Sequence, residues 1–165
     1  MIKRKFFLIT LLFFIISCSS LEFVYNDSVN PNKIKQKTLL SIIGDNKNII
    51  NSYLLGKLGE VDGNPVYKLT IVSSGQVEAT VIEIDATASK FMIKHDLVYT
   101  LTNIVQNCQI LEKSISSKNL YDAKSAGYSF GTDLAEKEFT ANNLHSNIDK
   151  FLNELAINYI DLNCK

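Results

Sequence analysis

The chain has 165 residues, 46% of them hydrophobic, and carries 17 basic and 17 acidic side chains for a formal net charge of zero. That length fits one domain with a core of useful size, and the charge balance excludes the basic field that nucleic-acid binding needs. His95, Cys108, His145 and Cys164 are scattered along the chain, without the close ligand pairing of zinc sites, so no metal and no cofactor are expected.

The first twenty residues decide where the rest resides. Lys3, Arg4 and Lys5 form a cationic start, Phe6 to Ile16 an apolar run, and Ser17 a small residue at a cleavage position, which together make a secretory signal peptide. About a dozen apolar residues fall short of the roughly 18 to 20 that cross a bilayer. Ile15-Ile16-Ser17-Cys18 resembles the lipobox of bacterial lipoproteins. The resemblance implies cleavage before Cys18, a diacylglyceryl group on its sulfur and acylation of its amine. Several acyl chains at one terminus anchor stably where one holds marginally. Ser19 in place of Asp implies, by the sorting habit of enteric-type lipoproteins, the outer membrane. Loss of residues 1–17 leaves 148 residues with 14 basic and 17 acidic side chains, in a compartment that permits oxidation. Cys108 and Cys164 are the candidates for one disulfide there, a pairing that sequence leaves open.

Residues 18–37 read as an acylated tether, because Asn26, Asp27, Asn30, Pro31 and Asn32 favour irregular chain. Residues 38–165 read as one domain. Thr38 to Ile43 is a short aliphatic run ending at Gly44-Asp45, expected as a buried strand. Asp45 or Asn46 then caps a helix whose Ile49, Ile50, Tyr53, Leu54 and Leu58 recur at helical spacing, with Gly59 closing it. Val66 to Val81 alternates, with Tyr67, Leu69, Ile71, Val77, Ala79 and Val81 on one parity; a bend is expected at Ser73-Ser74-Gly75. After a turn at Asp85 to Ser89 the alternation returns in Phe91, Ile93, His95, Leu97, Tyr99 and Leu101, so the two runs should pair antiparallel. Asn103 to Asn107 is a second turn, followed by a less regular strand from Gln109 to about Lys118. Beyond Gly131 a long amphipathic helix carries Leu134, Leu144, Ile148, Phe151, Leu152, Leu155, Tyr159 and Ile160 on its stripe, with Asp133 and Asn143 among its polar positions. The order strand-helix-strand-strand-strand-helix predicts an α+β two-layer sandwich. Its first strand should lie parallel to a neighbour and both helices on one face of a four-stranded sheet.

Catalytic signatures are missing. The sequence has no GxSxG elbow, no HExxH, no phosphate loop and no Cys/His pair at helical spacing. His95 falls on the apolar parity of its strand, the position of a satisfied core histidine, and His145 reads as a surface or boundary residue. Glu83 with Asp85, and Glu136 with Glu138, adjoin turns or polar helix faces and read as solvated pairs. No enzymatic activity is expected.

The element order and several stretches resemble the LptE family, outer-membrane lipoproteins that partner the LptD barrel in lipopolysaccharide assembly. The resemblance is carried by Cys18 with Leu21 to Tyr25, by strand Thr38 to Ile43 and helix Lys47 to Leu58. It continues through Tyr67-Lys68-Leu69-Thr70-Ile71 and the return Lys90-Phe91-Met92-Ile93 into Leu97-Val98-Tyr99-Thr100-Leu101, and ends with Leu134-Ala135-Glu136-Lys137. It implies a domain seated in the lumen of a large β-barrel, with lipopolysaccharide as a further partner and the membrane reached through the lipid anchor. Family members often place basic residues near the hairpin tip, whereas this tip reads Asp85-Ala86-Thr87-Ala88-Ser89 with only Lys90 close; that departure argues against a direct lipopolysaccharide contact at the tip. The alternative is another envelope lipoprotein, pilotin-like or inhibitor-like, that binds a different protein.

Overall fold

The computed structural model describes residues 33–84, 88–122, 129–158, 162 and 164. The signal peptide, Cys18, the first turn from Asp85 to Thr87, residues 123–128, and Tyr159 and Ile160 lie outside the described residues. The elements run β1 (Thr38–Gly44), α1 (Lys47–Leu58), β2 (Tyr67–Ile82), β3 (Ala88–Asn103), β4 (Cys108–Asp122) and α2 (Ser129–Asn158). This is the α+β order expected. The sheet follows chain order, with β1 parallel to β2 and the other pairs antiparallel.

Alternation explains the layers. Leu69 and Ile71 of β2, Leu97, Tyr99 and Leu101 of β3, and Ile115 of β4 point to one face and are buried there. They meet Ile50, Leu54 and Leu58 of α1 and Leu144, Ile148, Phe151 and Leu155 of α2 in one cluster. Both helices lie on that face and touch each other through Tyr53, which stacks on His145 with ring centroids 3.8 Å apart and donates to Asp149 at 2.7 Å. Lys57 reaches the same carboxylate at 3.0 Å. The opposite sheet face has no helix over it among the described residues.

The structure corrects several sequence expectations. Packing begins inside the segment read as tether: Ile34 is 2% exposed and belongs to the core, Gln36 donates its backbone N–H to Leu58, and the Thr38 hydroxyl donates to the Ile34 carbonyl. One isoleucine among lysines gives too weak a pattern to mark this. β1 is an edge strand buried on one face only, with Leu39 and Ile43 exposed on the other. β2 does not bend at Ser73-Ser74-Gly75, where its pairing with β3 stays in register. Its irregularities come later, between Ala79, Val81 and Ile82. β4 extends to Asp122, four residues past the expected end. In α2, Leu134 is exposed and Asn143 is buried, the reverse of the expected stripe.

Two glycines are set by sterics. A Cβ on Gly44, at φ +101°, would lie 1.9 Å from the Ser73 carbonyl oxygen, so only glycine lets β1 end against β2. On Gly75, paired with His95 across the strands, a Cβ would meet the imidazole at 3.0 Å. Gly44→Ala is therefore expected to lower unfolding free energy by about 2 kcal/mol or more. Gly56→Ala, in open space inside α1, is expected to raise it by about 1 kcal/mol. Urea titrations of the two variants beside the parent check both signs.

Candidate docking surfaces and the buried polar ladder

Beneath α2 the core is not wholly apolar. His95 and Tyr99 project from β3 on the same face, Ser117 from β4, and Asn143 and Asn147, one helical turn apart, from α2. Asn143 Oδ1 is 3.0 Å from His95 Nδ1 and accepts from the Ser117 hydroxyl at 2.6 Å. Asn147 Nδ2 donates to Ser117 Oγ at 2.9 Å and to the Ile115 carbonyl at 3.0 Å, and its Oδ1 accepts from the Tyr99 hydroxyl at 2.8 Å. Asn46 adds the far end, with its Nδ2 3.3 Å from His95 Nε2. The expected cap is corrected here. Asn46 sits at φ 56° with no capping bond, since its amide is turned to the histidine, while Asp45 Oδ2 accepts from the Gly75 N–H at 3.0 Å.

The tautomer follows from these partners. Asn46 donates to Nε2, so the ring hydrogen sits on Nδ1 and is given to Asn143, which assigns a neutral imidazole. Burial pushes the His95 pKa down from its ordinary value, against smaller upward pulls from the Asn143 bond, Asp45 and Asp96. Burial also raises Tyr99, whose ring stacks on Phe151 at 4.0 Å. Tyr121 is pushed up to about 12, first by burial and then by Glu136, to which it donates at 3.2 Å. With both ring nitrogens of His95 held by amides, these groups order α2 on the sheet. Asn143 Nδ2 and Ser73 Oγ are buried without a bonding partner among the described residues.

The surfaces that remain open are of two kinds. On the helix-free face, Ile43, Val72, Val98 and Ser114 stand in one row across all four strands, flanked by Ser41, Thr70, Thr100 and Glu112. At the distal end, β2 and β3 run past the reach of α1, and Val77, Val81, Ile82 and Ile84 are exposed with Leu120 and Leu134. A cleft of about 120 Å³ between β4 and the end of α2, lined by Leu111, Lys113, Phe151, Glu154, Leu155 and Asn158, is below the roughly 300–1,000 Å³ of small-molecule sites.

Of the residues singled out in the sequence, Cys18 lies outside the described residues, and Cys108 and Cys164 are joined in a disulfide with Cα atoms 5.9 Å apart. His95 is 2% exposed, in keeping with its strand parity, and His145 lies half-buried against Tyr53. Sequence reasoning named Asn46 as a cap and Asn143 as a polar helix position but missed their hydrogen bonds to His95, and it missed Asn147 altogether. The four-residue spacing of Asn143 and Asn147 within an apolar stripe was the available signal.

No family model and no curated protein matches the sequence. Among solved structures, a protein from Caulobacter crescentus assigned as a lipoprotein superposes with a TM-score of 0.59 at 13% identity, over 79% of this chain and 96% of that one. Rare lipoprotein B from Shewanella oneidensis gives 0.55 at 8% identity, over 74% and 97%. A minor lipoprotein from Acinetobacter baumannii gives 0.54 at 10%, over 76% and 95%. The fold is one found in bacterial lipoproteins.

The depressed pKa of His95 has a signed consequence. The unfolded chain binds a proton near pH 6.5 and the folded one only at lower pH, so stability is full above the unfolded value. It falls as pH drops toward the folded pKa and levels off below that value. Urea unfolding at pH 5 and 7.5 should show this loss in the parent and a smaller one in His95→Gln. An equal loss in both would remove His95 as its source.

Proposed function

We propose that the protein is a lipoprotein, anchored through Cys18 to the periplasmic side of the outer membrane, that serves as plug and assembly partner of an LptD-type β-barrel in lipopolysaccharide transport to the cell surface. It works without catalysis, metal or cofactor. The observation that carries this reading is the strand-helix-strand-strand-strand-helix domain behind a lipobox-bearing leader, in a fold that rare lipoprotein B of Shewanella oneidensis shares over 97% of its length. The open sheet face, rich in Ser and Thr around one apolar row, suits contact with the polar lumen of a large barrel. Direct lipopolysaccharide binding at the hairpin end is not part of the proposal. Glu78, Glu83 and Asp122 stand there, and Lys90 is paired with Asp122 at 3.6 Å, so the lipid's phosphates meet no free cluster of cations.

The test is a mild-detergent pull-down of the tagged, palmitate-labelled full chain from outer membranes beside Cys18→Ala. One large β-barrel protein should co-purify with the parent, and the label should disappear in the variant. A soluble, unlabelled parent chain with no barrel attached overturns both the anchor and the assembly role.

A further inference from the structure

β2, with 16 residues, is more than twice as long as its parallel neighbour β1, with 7. β1 pairs with it from Thr38↔Tyr67 to Gly44↔Ser73 and stops. Three bonds show which backbone groups of β2 point toward β1: the Tyr67 N–H donates to Lys37, the Ser73 carbonyl accepts from Asp45, and the Gly75 N–H donates to Asp45 Oδ2. All belong to odd-numbered residues. Beyond Gly75 the same outward positions are Val77 and Ala79, before the irregularity that follows Ala79. Gln76 to Ile82 are exposed, and among the described residues no backbone bond outside the β2–β3 ladder reaches them.

An exposed edge is ordinarily blunted by lysine, proline or a covering element. β4, the other long edge, carries Glu112, Lys113 and Lys118. Its Ile115 carbonyl accepts from Asn147, and Lys113 is paired with Glu154 of α2. The distal stretch Ser74 to Ile82 has no Lys, Arg or Pro. It presents Val77, 45% exposed, and Val81, 40% exposed. The stretch and its continuation are acidic: Glu78 lies on the strand and Glu83 follows it, while Lys90 and Lys94 across on β3 are paired with Asp122 and Asp96.

We propose that the outer edge of β2 at Gln76–Ala79 is a strand-addition site for an extended segment of a partner protein in which apolar and basic residues alternate. Its backbone would pair with Val77 and Ala79. Its apolar side chains would cover those two residues on the helix side, and its Lys or Arg would face Glu78 on the open side. Charge selects this occupant. A second copy paired antiparallel about Ala79 would set the two Glu78 side chains diagonally beside each other, with the irregularity after Ala79 breaking the far half of the pairing. A lipid phosphate meets the same negative field. The inference is independent of the barrel reading, because it concerns only this edge, and the pull-down above does not read it.

The probe is a seven-residue peptide alternating Lys and Val, added in excess to the detergent-solubilised full chain while amide exchange is followed. Exchange at Val77 and Ala79 should slow at least tenfold. A version N-methylated at alternate backbone positions, and one with Glu in place of Lys, should leave it unchanged. Val77→Pro removes an outward N–H without breaking the β2–β3 ladder and should abolish the effect at Ala79. Val77→Lys, which keeps the backbone donor, should weaken peptide binding at least tenfold through like charge. Absence of slowing overturns the proposal, as does equal slowing by the N-methylated peptide. Concentration-dependent protection without peptide would assign the edge to a second copy, and protection by anionic lipid vesicles alone would assign it to lipid; either outcome overturns the proposal too.

Discussion

Helix α2 carries two asparagines on the stripe with which it packs, and this constrains the rest of the domain. A buried amide left without partners costs about 1–3 kcal/mol, so Asn143 and Asn147 must land where β3 and β4 offer hydrogen-bonding groups. His95, Tyr99, Ser117 and the Ile115 carbonyl supply them. Sliding the helix by one turn would break the whole set, whereas apolar packing alone would tolerate the shift at smaller cost. The register fixed in this way also seats Phe151 on Tyr99, Phe139 near Tyr121 at 5.7 Å, and Glu154 against Lys113. Through Asn46 the ladder reaches α1 as well, so one polar line positions both helices on the sheet.

How much of this is legible in the sequence depends on whether a residue's partners are near in the pattern. Strand parity is local, and it correctly places Leu69, Ile71, His95, Leu97 and Tyr99 in the core. The period of α1 and its closing Gly59, whose N–H bonds to Leu55, are local too. What parity does not contain is the extent of the covering layer. Val77 and Ala79 share a face with Ile71, yet they are exposed because α1 begins at Lys47, level with the end of β1. The buried Asn143 and the exposed Leu134 invert their hydropathy for the same reason: which turns of α2 lie over the sheet is decided by partners far away in sequence. Ile34 is hidden among lysines. Of the candidate functional features, Cys108 and Cys164 could be named from residue type, but their pairing, set by a contact 56 residues apart, could not. The unblunted edge emerged only once the length of β1 was known.

The molecule therefore has two unlike poles. At one, the chain enters through Lys33, Ile34 closes the core, β1 and β2 begin, and Cys108 is tied to Cys164. At the other, β2 ends and β3 begins, beyond the reach of α1. Sixteen residues of β2 at about 3.3 Å each put the poles on the order of 50 Å apart. A disulfide between residues 56 apart in sequence restricts the unfolded chain by about 4 kcal/mol on the loop-entropy account, and it acts at the pole where the tether attaches. The distal pole has no such closure and fewer packed neighbours, and it carries the edge backbone, the apolar side chains and the acidic charge. Under the proposed anchor at Cys18, this division would place stability at the attachment and the proposed strand-addition edge at the far end. A partner that adds a strand there would supply the coverage that α1 is too short to give, so docking and completion of the distal fold become one event.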